Sequence, residues 1–228
     1  MTSVLLVDDH AVVREGYRRL LERTSDLKVT AEAASGEDAY RVYWETPADV
    51  VVMDVSLPGM SGIETTRRIL ARQPAAKVLV FSMHEDTMFA SRALQAGAKG
   101  YVTKSSAPEV LVDAVRAVAA GKMYITQDVA QQLALQSLPG QRLPLNALSP
   151  REFEVFRLLA QGHPVQDIAN KLCLSQKTIA NYQSSIRQKL EVTSAAQIVR
   201  LAISCGLVDS GTPPPELDDG AESLPGGS

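Results

Sequence analysis

The side chains with the clearest chemical potential are three aspartates at the ends of apolar runs: Asp8, Asp9 and Asp54. Val4–Val7 precedes the first two, and Val50–Met53 precedes the third. Unbroken apolar runs of this length favour strands that are buried on both faces of a parallel sheet. Because the carboxyl ends of parallel strands share one edge of an open α/β sheet, we expect the three carboxylates to lie together there. Taken alone, Asp54 could equally be an aspartate that caps the turn after it.

Two further polar residues follow later apolar runs and suggest what the carboxylates do. Three carboxylates without an opposite charge raise one another's pKa, and a hard divalent cation relieves that repulsion. Mg²⁺ (or Mn²⁺) suits few protein carboxylates, several waters and a phosphate oxygen. Lys104 could bind such a phosphate, and Ser82 could donate a hydrogen bond to it. The pattern therefore predicts a metal-assisted phosphate site.

Five apolar runs alternate with five helical patterns in residues 1–121, and this alternation must position the site. It predicts an α/β doubly wound domain with a five-stranded parallel sheet. Ser61-Gly62-Ile63-Glu64 and Ser106-Ala107-Pro108-Glu109 have the spacing of helix N-terminal caps.

The remaining residues separate into three stretches. Residues 122–147 read as a linker with a short helix, because Pro and Gly interrupt the pattern after residue 137. Residues 148–208 predict a small all-α domain of four helices and carry seven basic against four acidic residues, which is compatible with nucleic acid. Residues 209–228 carry five acids and no base, and their Gly, Pro and Ser content predicts a disordered tail.

The composition narrows the function classes. No apolar run approaches the roughly 20 residues that a membrane span needs, and no basic segment precedes the first run as in a signal peptide. We therefore expect a cytoplasmic protein that does not contact a membrane. The two cysteines, Cys173 and Cys205, are too few for a metal site and predict reduced thiols.

Residues 1–121 resemble the receiver domain of two-component response regulators. The residues that carry the resemblance are Asp8, Asp9, Asp54, Ser82, Tyr101 and Lys104. The resemblance implies that Asp54 is the phosphoacceptor, that Asp9 binds Mg²⁺ directly, and that Asp8 acts through water. It also implies a metal contact from the Ser56 backbone carbonyl. On phosphorylation, Ser82 would move toward the phosphoryl group and Tyr101 would turn inward. Ser56 and His84, each two residues beyond a site residue, would tune the lifetime of the phosphoryl group.

Residues 148–208 resemble the LuxR-type helix-turn-helix of the NarL/FixJ class. The matching segments are Leu148–Glu152, Gly162, Asp167–Ala169, Leu172, Leu174-Ser175, Lys177–Ile179 and Lys189-Leu190. The resemblance implies that the helix after Ser175 enters the DNA major groove. Ala180, Asn181 and Ser184 would face bases. Lys177, Thr178, Tyr182, Arg187 and Lys189 would contact phosphates. The chain departs from the class at His163–Asp167, Ala180 and Tyr182, which leaves the base-reading set nearly uncharged.

Together these patterns predict a response regulator transcription factor. A sensor histidine kinase would phosphorylate Asp54, and a homodimer formed through residues 194–206 would bind double-stranded promoter DNA, with RNA polymerase as a further partner. One alternative is a DNA-binding regulator of the same fold that works without phosphorylation. Another is an enzyme, but no Gly-x-Gly-x-x-Gly follows the first strand and no second acid follows Asp54 at the spacing of a phosphohydrolase. We therefore predict that it is not a turnover enzyme.

Overall fold

A computed structural model describes residues 1–83, 87–136, 144–205 and 207–208 of the chain. Its described residues include one parallel sheet with the strand order β2-β1-β3-β4-β5-β6. The strands are β1 Thr2–Val7, β2 Leu27–Ala33, β3 Val50–Met53, β4 Val78–Ser82, β5 Gly100–Thr103 and β6 Tyr124–Ile125. All neighbouring strands pair in parallel. The predicted doubly wound sheet is confirmed, with one more strand than expected.

The helices alternate with the strands and then continue alone. The sheet helices are α1 Ala11–Glu22, α2 Gly36–Glu45, α3 Gly62–Arg72, α4 Thr87–Gln95 and α5 Pro108–Ala119, and α6 Gln127–Gln136 follows β6. A 3₁₀ helix at Pro144–Ala147 precedes α7 Pro150–Ala160, α8 Val165–Lys171, α9 Gln176–Leu190 and α10 Ala195–Ser204. The last four are the predicted small all-α domain.

Side-chain caps explain where several helices begin. The Ser61 hydroxyl accepts a hydrogen bond from the Glu64 amide at the start of α3. Ser149 and Glu152 form a reciprocal capping box at the start of α7. The predicted cap at Ser106 is wrong, because α5 begins after Ala107 without a side-chain cap.

The sheet core divides between its two faces. One apolar cluster includes Leu6, Leu21 and Leu111, so α1 and α5 cover that face. A second cluster includes Leu5, Tyr43 and Ile69, so α2 and α3 cover the other.

A third cluster continues from the sheet into the small helical domain. Tyr101 of β5, Phe89 of α4 and Phe153 of α7 all belong to it. The two domains therefore share one apolar core in this structure.

Four predictions fall on residues outside the described ranges. The first is the interruption of the linker between residues 137 and 143, and the second is the end of the last helix at Gly206. The others are the acidic tail from residue 209 and the role of His84.

Candidate functional site

The carboxyl ends of β1 and β3 bring two of the three aspartates together. Val7 pairs with Met53, so Asp8 and Asp54 follow directly paired residues. The Asp54 amide donates to the Val7 carbonyl at 3.0 Å, which fixes the strand end beside β1. Both aspartates are buried, with exposed fractions of 2% for Asp8 and 5% for Asp54.

Lys104 joins these two carboxylates from the end of β5. Its Nζ lies 2.6 Å from Asp8 Oδ2 and 2.5 Å from Asp54 Oδ2. Burial raises the pKa of Asp54, because the attraction of Lys104 only partly offsets the loss of water and the repulsion of Asp8. Burial alone would lower the pKa of Lys104, but the contacts with Asp54 and Asp8 outweigh it and the pKa lies above its usual value. The ammonium group of Lys104 therefore pairs with two buried carboxylates at once.

Asp9 lies on the exposed side of the same edge. Its Oδ1 lies 2.8 Å from Nδ1 of His10, and Asp8 Oδ1 accepts a hydrogen bond from the His10 amide at 2.8 Å. Asp8, Asp9 and His10 place potential ligand atoms within 4.8 Å of one another. Oxygen donors of this kind fit a hard divalent cation. His10 has no predicted role in this site, and the signal for its place in the cluster is its position directly after Asp8-Asp9.

The other predicted residues of this site lie at the ends of β3, β4 and β5. The Ser56 amide donates to Asp54 Oδ1 at 3.3 Å, so this residue contacts the aspartate two positions before it. Ser82 ends β4 fully buried, and its carbonyl accepts from the Lys104 amide at 2.7 Å. Tyr101, within β5, is also fully buried.

Gly62 is a residue of this edge that the sequence reading used only as part of a cap. Its amide donates to the Val55 carbonyl at 2.9 Å. A Cβ on Gly62 would lie 1.7 Å from the carbonyl oxygen of Asp54, so only glycine fits this approach. The start of α3 is therefore held directly against the backbone of Asp54.

Most of the predicted DNA-contacting residues lie on an exposed face of α9. Lys177, Ala180, Asn181, Ser184 and Arg187 are exposed, whereas Thr178 and Tyr182 are half-buried. Lys189 is exposed too, but its Nζ lies 2.7 Å from Oε2 of Glu152 on α7. Its charge is thus already paired within the domain.

No helix among the described residues is both long and apolar enough to cross a bilayer.

Two family profiles match the two folded regions separately. The profile described as response regulator receiver domain matches residues 4–116, and the profile described as bacterial regulatory proteins, luxR family, matches residues 146–202. The chain is also 44% identical over 212 residues to the response regulator GacA of Pseudomonas aeruginosa, covering 92% of this chain and 99% of that one. The chain belongs to the LuxR-type response regulators. The resemblance stated from the sequence is thereby confirmed.

Other relatives extend the likeness of this response regulator over nearly its whole length. It is 45% identical to the transcriptional activator protein ExaE of Pseudomonas putida, covering 90% of this chain and 98% of that one. The structure of RcsB from Salmonella enterica serovar Typhimurium bound to promoter rprA with phosphomimetic BeF3− is 30% identical, with a TM-score of 0.61. That likeness covers 88% of this chain and 97% of RcsB. A structure of two RcsB dimers bound to two parallel DNAs has a TM-score of 0.57 at 30% identity, over 89% of this chain and 98% of that one.

Proposed function

We propose that a sensor histidine kinase phosphorylates this response regulator on Asp54 and that the phosphorylated protein binds promoter DNA as a dimer. The observation that carries the proposal is the bridge of Lys104 between Asp54 and Asp8, because it places a fixed positive charge beside the candidate phosphoacceptor. A regulator of transcription acts where its promoters are, so the proposed compartment is the cytoplasm, with RNA polymerase as a further partner.

The proposed reaction moves one phosphoryl group. An Asp54 carboxylate oxygen attacks the phosphorus of a phosphohistidine, the P–N bond breaks, and the histidine nitrogen regains a proton from solvent. Such a transfer needs positioning and neutralisation of charge more than covalent help from the protein. Lys104 supplies one positive charge, and the Ser56 amide already points at Asp54. Turnover of an added phosphate ester is not expected, since the proposal makes Asp54 an acceptor.

Asp8, Asp9, Asp54 and the Ser56 carbonyl would hold Mg²⁺ (or Mn²⁺). When bound, the cation would neutralise charge on the transferred phosphoryl group. The paired Asp8 and Asp9 support this assignment because they give an oxygen-rich cluster beside Asp54. His10 lies within the same cluster, and we assign it no ligand role.

The switch roles of Ser82 and Tyr101 are part of the same proposal. Ser82 ends the strand next to Asp54's own strand, and Tyr101 pairs with Val80 of that strand. Movement of Ser82 toward a phosphoryl group would shift β4 and thereby change the position of Tyr101. Ser56 and His84 would set how fast the phosphoryl group is lost, so substitution of either should change the decay rate of phospho-Asp54 without preventing its formation.

The DNA-binding roles are supported by the exposure of α9. Asn181 is the residue to which we assign base reading, as its amide can hydrogen-bond an adenine edge. Ala180 and Ser184 would lie beside it. Contacts with DNA phosphates would fix the register of the protein on the duplex. We assign these contacts to Lys177, Thr178, Tyr182, Arg187 and Lys189. The dimers of RcsB on DNA support dimerisation of this relative.

Genome-wide DNA occupancy of the wild type compared with Asp54→Asn tests the proposal. We expect discrete promoter peaks for the wild type and a loss of most of them in the variant. Equal occupancy in both strains would favour a regulator that works without phosphorylation.

A further inference from the structure

The exposed face of α9 carries positive charge that has no partner in the described part of the chain. Helix α9 contains Lys177, Arg187 and Lys189 and no acidic residue. Lys189 pairs with Glu152 of α7, but among the described residues neither Lys177 nor Arg187 forms a salt bridge. Both of these side chains are exposed. An anionic group that reached this face would therefore find two cations whose charge is not yet paired.

Residues 209–228 carry the opposite charge in the same chain. This stretch contains no base and five acidic residues, which are Asp209, Glu216, Asp218, Asp219 and Glu222. It lies outside the described ranges and beyond the luxR profile, which ends at residue 202. Neither of the two family domains therefore accounts for this charge. Its sign is opposite to that of residues 148–208, where seven basic residues face four acidic ones.

Three of these acids fall within four residues, Glu216–Asp219, which we call the acidic segment. Consecutive residues of a fully extended chain advance by roughly 3.3–3.6 Å, and one strand of DNA carries a phosphate charge about every 3.4 Å. The acidic segment can therefore present negative charges at intervals similar to those of a DNA strand. Carboxylates and phosphates also accept the same charge-assisted hydrogen bonds from lysine and arginine. The segment thus matches DNA phosphates in sign, in spacing and in the groups that bind them.

The acidic segment is attached close enough to reach α9. Val208 is the last described residue before it, four positions after the end of α10 at Ser204. Asp219 lies eleven positions after Val208, and a chain of that length spans at most roughly 36–40 Å. Helix α9 has 15 residues and is about 22 Å long. A folded domain of about 60 residues has a radius of gyration of about 10 Å, so this reach extends across the whole helical domain.

We propose that the acidic segment binds the exposed face of α9 in the same chain and competes there with DNA. The inference rests on the proposed function, because it takes α9 as the helix that contacts DNA. An attached segment acts at a local concentration in the millimolar range, so it occupies the face appreciably even when its own dissociation constant is about 1 mM. Promoter DNA and unrelated DNA must both displace the segment, so it lowers the affinity for both by the same factor.

Zero-length carbodiimide cross-linking of the full chain without DNA tests the contact directly. The reagent couples carboxylates only to amines that they touch, and mass spectrometry maps the linked residues. We expect a cross-link between the acidic segment and Lys177. The pair of Lys189 and Glu152, 2.7 Å apart, is the positive control, and exposed Lys28 of β2 is the negative control. Cross-linking an equal mixture of unlabelled and ¹⁵N-labelled protein distinguishes links within one chain from links between two copies.

DNA binding of a variant with a neutral segment tests the competition. We expect its affinity for a promoter duplex and for an unrelated duplex to rise equally, by roughly threefold if the local concentration is twice the dissociation constant of the contact. The gain should shrink as salt screens the charges. The variant is Glu216→Gln, Asp218→Asn and Asp219→Asn. A matched control removes three exposed acids of the receiver and α6 and should change the affinity much less: Glu22→Gln, Glu109→Gln and Asp128→Asn.

The results separate the inference from the proposed function. Unchanged DNA affinity in both Lys177→Ala and Arg187→Ala would contradict the proposed role of α9. If the control cross-link of Lys189 forms but Lys177 does not link to the acidic segment, the inference alone is wrong. A link of mixed isotopes would place the segment on a second copy and overturn the contact within one chain. Equal gains in affinity for the two triple variants would mean that net charge acts, without a contact of the segment with α9.

Discussion

The two buried charge clusters of this regulator differ in how completely their charges are paired. At the carboxyl edge of the sheet, Lys104 contacts both Asp8 and Asp54 within 2.6 Å. On α7, buried Glu154 keeps one oxygen without a hydrogen bond among the described residues. A fully paired cluster resists disruption, whereas an incompletely paired one is easily displaced. Lys104 therefore stabilises the first cluster more fully than Arg151 stabilises the second.

Removal of the Lys104 side-chain charge from the first cluster should give the largest change in stability. In Lys104→Met, two buried carboxylates lose their shared partner, and we expect the free energy of unfolding at pH 7 to fall by about 3 kcal/mol. Urea unfolding of the full chain measures this loss. Lys28→Met, at an exposed position of β2, is the control and should change it by less than about 0.5 kcal/mol. A loss of less than about 0.5 kcal/mol in Lys104→Met would mean that Lys104 does not stabilise the two buried carboxylates.

Neutralisation of Glu154 should have the opposite sign. Burial raises its pKa to about 6, from an ordinary value of 4.5, and the charges of Arg151 and Arg157 only partly offset the burial. An acid with a raised pKa favours folding when protonated, so its contribution is present below pH 4.5 and is lost as the pH rises through 6.

Glu154→Gln mimics the protonated acid and should therefore be more stable than the wild type at pH 7, by about 2 kcal/mol. The difference should vanish near pH 4.5. Urea unfolding of both proteins across this pH range provides the test. Asp54 is present in both proteins, so its titration contributes to each curve and the comparison isolates Glu154. A difference that stays constant with pH would show that Glu154 does not titrate as described.

Glu152 lies two residues away on the same helix and should respond to pH in the reverse direction. Hydrogen bonds from Lys189, Ser185 and Ser149 outweigh burial and lower its pKa to about 2. Its contribution is present above pH 4.5 and is lost as the pH falls toward 2. Glu152→Gln should lower the stability at pH 7 by about 1 kcal/mol, and less below pH 4. Urea unfolding across the same pH range measures this loss. If Glu152→Gln and Glu154→Gln showed the same pH dependence, the predicted opposite behaviour of the two glutamates would be wrong.

The smallest effect concerns the two lysines of α9. Lys177 is exposed, whereas Lys189 already pairs with Glu152. Lys177→Ala should weaken binding to a promoter duplex and reduce the salt slope of log K by about 1. Lys189→Ala should reduce the slope by a smaller amount, because Lys189 divides its charge between the DNA phosphate and Glu152. Binding measured at several salt concentrations decides between them. Equal changes in slope would mean that Lys189 leaves Glu152 when DNA binds.

The elements were largely predictable because their signals are local. Apolar runs and capping serines such as Ser61 and Ser149 lie within a few residues of the structure they specify. Asp8, Asp54 and Lys104 could be grouped because strand ends of a parallel sheet share an edge. Strand β6 was missed because two residues are too few to show a periodicity. Ser106 looked like a cap, but its hydroxyl lies 3.0 Å from that of Thr103 and α5 begins without it.

The contact between the domains had no comparable signal. Phe89 and Phe153 are far apart in the sequence, and each alone reads as an ordinary core residue of its own helix. Arg92 and Glu154 are charged residues within helical patterns, and such residues are rarely buried. Only the tertiary arrangement reveals that both are enclosed. His10 and Gly62 were visible in the sequence, but their contacts depend on the distance between β1, β3 and the start of α3.

The absence of a side chain at Gly62 has a mechanical consequence. The backbone of α3 rests on the carbonyl of Asp54 with no room for a methyl group, so the helix start and the strand end are in direct contact. The far side of α3 contacts α7 of the DNA-binding domain. A displacement of the Asp54 backbone would therefore shift the start of α3 and, through the contact of α3 with α7, the neighbouring domain. A larger residue at position 62 would push the start of α3 away from the Asp54 backbone and so weaken the mechanical connection between β3 and α7.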